Sequence, residues 1–129
     1  MKLLLDTNTF IWLVNYDDPR LGIQTQQLLQ AAGTVYVSAI TIVEIQIKSM
    51  LAKLETSGDP LGDAVASGCA LLSFSAQAGM ALADFPELAR HDPFARMLLA
   101  QAKTAGLTLL TADELLLSLD LPFVCDARL

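Results

Sequence analysis

Cysteine and histidine are scarce in this sequence, and positive charge is in short supply. Cys69 and Cys125 are the only cysteines in 129 residues. They lie far apart, each in an apolar run ("GCALLSF", "LPFVCDA"), and are expected as two buried thiols in strands. A thiolate metal site would need more ligands at closer spacing, and a disulfide would be unusual in the cytosol. His91 is the single histidine and is expected as a lone loop residue at the surface. Eight Lys and Arg stand against fourteen Asp and Glu, for a net charge of −6. Such a chain is a poor general nucleic-acid binder, because phosphate contacts need cations. A nucleic-acid substrate would require a local basic patch, metal ions or a second subunit. No apolar run reaches about 18 residues, so no membrane span is expected. The opening "MKLLLDTNTF" is interrupted by Asp6 and lacks a signal-peptide core, which points to a cytoplasmic protein. There is no G-x-S-x-G, no phosphate-binding P-loop and no G-x-G-x-x-G.

What is abundant is apolar surface: 53% of the residues are hydrophobic and the mean hydropathy is +0.49. This suits either a buried parallel sheet or an apolar face covered by a partner. The length fits one domain spanning residues 1–129. "KLLLD" reads as a buried strand with Asp6 emerging at its carboxyl end. A short helix follows in "TNTFIWLVN", and a second helix over 21–33 is ended by Gly33. "TVYVS" is a β-branched strand. Ser38 caps a helix over 39–53, in which Ile40, Val43, Ile47 and Leu51 recur at helical spacing. Further on, the pattern predicts a turn at 57–60, a helix over 61–68, a strand over 69–74 and a helix over 75–85. A loop over 86–91 leads to Asp92 and a helix over 93–106, then a strand over 107–111, a helix over 112–119 and a strand over 122–126. Strands alternating with helices imply a parallel sheet covered on both faces, with function at the carboxyl ends of its strands.

Acids collect at those ends. Asp6 follows the first strand, and Asp113 follows the fourth. Glu44 lies about two turns into the helix after the second strand, and Asp92 precedes Pro93. Each has an ordinary structural role. Asp6, Asp92 and Asp113 suit helix N-caps, with Thr111 a rival cap beside Asp113, and Glu44 is placed to pair with Lys48 at i,i+4. Yet Asp6 ends a buried strand and Glu44 sits within the apolar "ITIVEIQI", where an unpaired charge is costly. Carboxylates gathered at one place cannot all ionise unless something positive sits among them. A site of oxygen donors suits Mg²⁺ or Mn²⁺, which activate water and stabilise charge on a phosphodiester. Trp12, Phe10 and Tyr16 are expected to pack the first helix.

These segments resemble the PIN-domain ribonucleases, and among them the VapC-like toxins of bacterial toxin–antitoxin pairs. "LLLDTNTFIWL" is similar to the family's opening segment, with Asp6 as its first acid. "VSAITIVEIQIKSMLAKL" is similar to the second, with Glu44 as the next acid and Lys48 in the usual basic position. "FPELARHDPFARMLLAQAKTAGLTLLTAD" is similar to the third, ending at Asp113. The resemblance implies a three-layer α/β/α PIN-like fold with a central parallel sheet. It implies an Mg²⁺- or Mn²⁺-dependent endoribonuclease, a homodimer and a cognate antitoxin. Asp6, Glu44 and Asp113 would hold the metal, with Asp92 a secondary candidate. Thr7, Asn8 and Thr111 would orient a ligand, while Arg96 and Lys48 would meet the RNA backbone or balance the acids.

The sequence departs from the resemblance at one position. The usual D-P-F-D-R is here "DPFAR", so Ala95 stands where another acid of the metal cluster is expected. Losing a carboxylate weakens Mg²⁺ binding and impairs catalysis. An engineered change and a natural loss both account for Ala95, and the otherwise intact motif favours the former. Two other classes of function compete. One is a non-catalytic protein that keeps the PIN fold to bind a partner. The other is an aspartate-nucleophile phosphatase, in which "LLLDTNT" would lack its general acid because Asn8 replaces the second Asp.

Overall fold

The structure is a computed structural model and describes residues 1–15 and 18–129. Tyr16, expected in the first helical packing, lies outside the described residues. The chain runs β1 (Lys2–Leu5), α1 (Thr7–Val14), α2 (Ile23–Ala31), β2 (Thr34–Ser38), α3 (Ala39–Met50), α4 (Pro60–Ala66), β3 (Ala70–Leu72) and α5 (Ala76–Ala81). Two single 3₁₀ turns at Leu82–Asp84 and Pro86–Leu88 lead to α6 (Pro93–Ala105), β4 (Thr108–Thr111), α7 (Glu114–Ser118) and β5 (Val124–Asp126).

The strands form one sheet in the order β3-β2-β1-β4-β5, with every pairing parallel. β1 is central because Leu3, Leu4 and Leu5 are fully buried, which requires cover on both faces. Alternation then divides the core. Leu3 and Leu5 point to a cluster with Phe10, Trp12, Ile45 and Ala64, while Leu4 points to one with Leu88, Leu98, Leu99 and Leu116. The three-layer α/β/α arrangement follows. From β1 the chain winds outward through β2 and β3, then returns across the sheet to β4. The winding therefore reverses between β1 and β4, and a crevice opens outside the carboxyl ends of those two strands. Asp6 and Asp113 leave the sheet there.

The elements match the sequence pattern with several local corrections. α2 stops at Ala31, because Ala32 is already extended; Gly33 lies beyond it and donates its N–H to the Met1 carbonyl. α3 stops at Met50 rather than reaching Lys53. Ala52 takes a left-handed φ of 56°, and the Lys53 N–H closes back on the Lys48 carbonyl at 2.9 Å. Of the expected stripe, Ile40 packs half-buried against the core, but the rest of it, Val43, Ile47 and Leu51, does not face the core. These three are exposed, while Thr41, Glu44 and Ile45 are buried instead. Cys69 is buried just ahead of β3, and Cys125 is only half-buried in β5; both are free thiols. No described helix is long and apolar enough to cross a membrane.

Candidate active site

Asp6 sits where β1 gives way to α1, and its local bonds fix it there. Its N–H donates to the Leu110 carbonyl of β4 at 3.0 Å, extending the β1–β4 pairing past Leu5. Its Oδ1 accepts the Thr9 N–H at 2.8 Å and so caps α1. Its Oδ2 accepts the Thr111 hydroxyl at 2.6 Å, across the crevice. Burial pushes the Asp6 carboxyl above the usual carboxylate range, and the negative charge of Glu44 adds to this. The hydrogen bonds from Thr111 and Thr9 pull it back.

Glu44 is buried on the inward face of α3. Thr7 at the start of α1 donates its hydroxyl to Glu44 Oε1 at 2.6 Å and lies 3.1 Å from the Thr41 hydroxyl. Lys48, one turn on, donates to Glu44 Oε2. The Glu44–Lys48 pair thus exists with its acid buried rather than on an exposed face. Asp113 caps α7: Oδ1 accepts the Leu115 and Leu116 N–H groups at 3.0 and 3.1 Å. Thr111 is not the cap. Its hydroxyl oxygen accepts the Asp113 N–H at 3.0 Å while its proton goes to Asp6.

His91 corrects the expectation of a lone surface group. Its Nε2 lies 2.7 Å from Asp113 Oδ2, with the ring about three-quarters buried. Nothing in the sequence pairs two residues so far apart; the signal was only that Asp113 ends a strand and His91 lies in the loop leading into the following helix. Thr41 was also missed, although a threonine on the inward face of an apolar helix is the kind of residue that needs a polar partner.

The secondary candidates divide. Asp92 is exposed and caps α6 through the Phe94 N–H at 3.0 Å, with no bond to the other acids. Asn8 is exposed and makes no side-chain bond among the described residues. Arg96 donates from Nη1 to the Ala89 carbonyl at 3.3 Å, and its Nε is buried without a partner among the described residues. That bond ties it to the loop that carries His91. Ala95 is half-buried in the first turn of α6, packed against the apolar cluster around Leu98 and Leu99, and offers no acceptor.

Two threads of hydrogen bonds therefore meet at α1. One runs His91–Asp113–Thr111–Asp6, and the other runs Thr7–Glu44–Lys48. Two buried carboxylates close enough for one to raise the other's pKa, surrounded by hydroxyls, form an oxygen-rich donor set suited to a hard divalent cation. Among the described residues no three acidic, histidine or cysteine side chains converge closely enough to form a metal cluster by themselves.

The PIN-domain family model matches residues 3–120. The chain belongs to the PIN-domain family. PIN domains are generally nucleases. Solved structures share the fold at low identity. VapBC2 from Rickettsia felis, bound to a DNA fragment from its promoter, superposes with a TM-score of 0.69 at 18% identity, covering 98% of each chain. DNA-bound VapBC from Salmonella typhimurium gives 0.64 at 24% identity, again over 98% of each chain. A toxin–antitoxin complex from Klebsiella pneumoniae gives 0.64 at 18% identity over 97% of each. No curated protein matches the sequence significantly. In this PIN domain, then, the crevice between β1 and β4 is where the acids and the switch in strand order coincide.

Proposed function

We propose that this PIN domain is the toxin of a toxin–antitoxin pair, a metal-dependent endoribonuclease weakened by Ala95. The observation that carries the proposal is the buried Asp6 at the β1–β4 crevice, joined through Thr111 to Asp113 and near enough to Glu44 for that charge to push its carboxyl up. Asp6, Glu44 and Asp113 would hold Mg²⁺ or Mn²⁺, since a carboxylate oxygen that accepts one hydrogen bond keeps a further lone pair. The ion would supply an activated water and charge to stabilise the phosphodiester in flight. The chain's own residues do the rest. Thr111 and Thr9 fix both Asp6 oxygens, Thr7 fixes Glu44, and Lys48 offsets one of the buried charges. Asp92 stays a helix cap in this scheme, and Arg96 acts on the His91 loop. An antitoxin partner is supported by the toxin–antitoxin complexes that share the fold. The homodimer and the RNA substrate belong to the same proposal.

Restoring the missing carboxylate is the test. Ala95→Asp should raise Mn²⁺-dependent cleavage of RNA by several orders of magnitude, because acids that act as a unit lose far more than their share when one is absent. Negligible and equal activity in both proteins, each folded and tried on a broad RNA panel, would sink the nuclease proposal. A non-catalytic binding protein is the second possibility, and the absence of a three-member ligand group among the described residues favours it. Calorimetric titration with Mn²⁺ separates the two, since a binding module would take up no ion even after Ala95→Asp.

A further inference from the structure

We propose that Lys48 is a built-in competitor for the metal: its ammonium and a divalent cation take turns on Glu44 Oε2. The inference rests on the nuclease reading and gives that site a gate made from one of its own side chains.

The three acids differ in what holds their oxygens. Asp6 Oδ1 accepts the Thr9 N–H, and Asp113 Oδ1 accepts two N–H groups at the start of α7. Backbone donors of this kind cannot leave without unwinding a helix. Asp6 Oδ2 and Glu44 Oε1 accept hydroxyls from Thr111 and Thr7, and both threonines are buried. Asp113 Oδ2 faces the His91 ring, on a loop pinned by the bond from the His91 N–H to the Leu88 carbonyl. Glu44 Oε2 stands apart. Its partner is the Lys48 ammonium, a full positive charge on a flexible four-carbon stem. The pair is also lopsided, because the Glu44 side chain is 7% exposed and the Lys48 side chain is 39% exposed. The acid is enclosed while the base reaches water.

That asymmetry decides which member can move. Two cations on one carboxylate oxygen repel each other, so an ammonium and a divalent ion do not share it. Lys48 lies in the last turn of α3, where the carbonyls at the helix end favour a positive charge. Rotation of its stem carries the ammonium from Oε2 into water without moving the helix. Glu44 keeps the Thr7 bond at Oε1 meanwhile, so its carboxylate stays in place. A buried carboxylate with no cation beside it is costly. Lys48 therefore protects Glu44 and, by the same contact, weakens the hold on a metal ion. Ala95 sharpens the competition, since one carboxylate fewer is left to draw the ion in.

Two measurements test this, each made in the parent and in Ala95→Asp. Lys48→Met, which keeps the stem and removes the charge, should tighten Mn²⁺ binding about three- to tenfold by calorimetry, the worth of one partly exposed ion pair. Lys48→Arg, which keeps the charge, should not tighten it. Release of the ammonium is read directly by brief labelling with a limiting N-hydroxysuccinimide ester of acetate, followed by peptide mass spectrometry. Lys53, which makes no ion pair among the described residues, is the reference. Saturating Mn²⁺ should raise acetylation of Lys48 relative to Lys53 several-fold. Glu44→Gln, which has no charge to hold the ammonium, sets the level of a released Lys48 and should not respond to Mn²⁺. Labelling needs no substitution at position 48, so it decides the matter even where Lys48→Met folds poorly. Mn²⁺ uptake with Lys48 labelling unchanged, or uptake no tighter in a folded Lys48→Met, overturns the proposal while the nuclease reading stands. No uptake by either the parent or Ala95→Asp overturns both.

Discussion

Thr111 carries more of this site than its size suggests, and Thr111→Val isolates that contribution. Valine keeps the shape and β preference of the residue at the end of β4 while deleting the hydroxyl. The hydroxyl is fully buried, donates to Asp6 Oδ2 at 2.6 Å and accepts the Asp113 N–H at 3.0 Å. A hydrogen bond to a charged group is worth about 1.5–3 kcal/mol, against about 0.5–1.5 kcal/mol for a neutral one. The loss should therefore depend on the state of Asp6. Burial raises the Asp6 carboxyl above its ordinary 3.8, so the folded protein binds that proton more tightly than the unfolded chain. Its contribution to stability is full below that unfolded value and is lost as pH rises through the folded one. Removing the Thr111 bond, which holds the folded value down, extends this loss to higher pH. Urea unfolding from pH 4 to pH 8 should show Thr111→Val costing about 2 kcal/mol at the upper end and about 1 kcal/mol at the lower. In an Asp6→Asn background the cost should stay near 1 kcal/mol throughout. A cost that is flat with pH in the parent, or identical in the two backgrounds, would refute the assignment of the Thr111–Asp6 bond to a charged acceptor.

Two further substitutions test the scaffold. Ala52→Gly should stabilise the protein by about 1 kcal/mol, because Ala52 holds a left-handed φ of 56° that glycine adopts without a Cβ penalty; thermal unfolding reads the gain. Leu99→Ala should cost about 2–5 kcal/mol in urea unfolding, since Leu99 is fully buried in the cluster beneath α6.

The sheet was legible because its signal is strong and local. "KLLL", "TVYVS" and "LTLLT" are short apolar or β-branched runs, and buried parallel strands require that composition. Helix starts were legible for a similar reason: Ser38, Asp92 and Asp113 cap where their side chains predict. Two kinds of information were not local. The face of α3 that turns inward is set by Thr7 and by the crevice, so Thr41 and Glu44 are buried and most of the apolar stripe is left outside. That stripe is part of the apolar excess visible in the composition. The partner of His91 is set by how α6 and β4 are brought together, which no window of sequence contains.

Structural and functional roles for the acids, which compete when read from sequence, are compatible in three dimensions. Asp6, Asp92 and Asp113 are all N-caps, and each gives one oxygen, Oδ1, to backbone N–H groups. A cap fixes the carboxylate's rotamer and leaves the second oxygen directed away from the helix. What that oxygen meets separates the three. Asp6 Oδ2 meets a buried hydroxyl and Asp113 Oδ2 meets an imidazole, while Asp92 Oδ2 has no partner among the described residues. Capping is thus the device that preorganises the two acids lying at the switch in strand order, at no cost beyond a residue the helix wants anyway. The same device works only at helix starts. Glu44, in mid-helix, needs Thr7 and Lys48 to hold it, and position 95, inside the first turn of α6, lies beyond the cap. A carboxylate at 95 would have to be held by a metal ion or by other side chains, which makes it the acid most easily replaced by alanine without loss of fold.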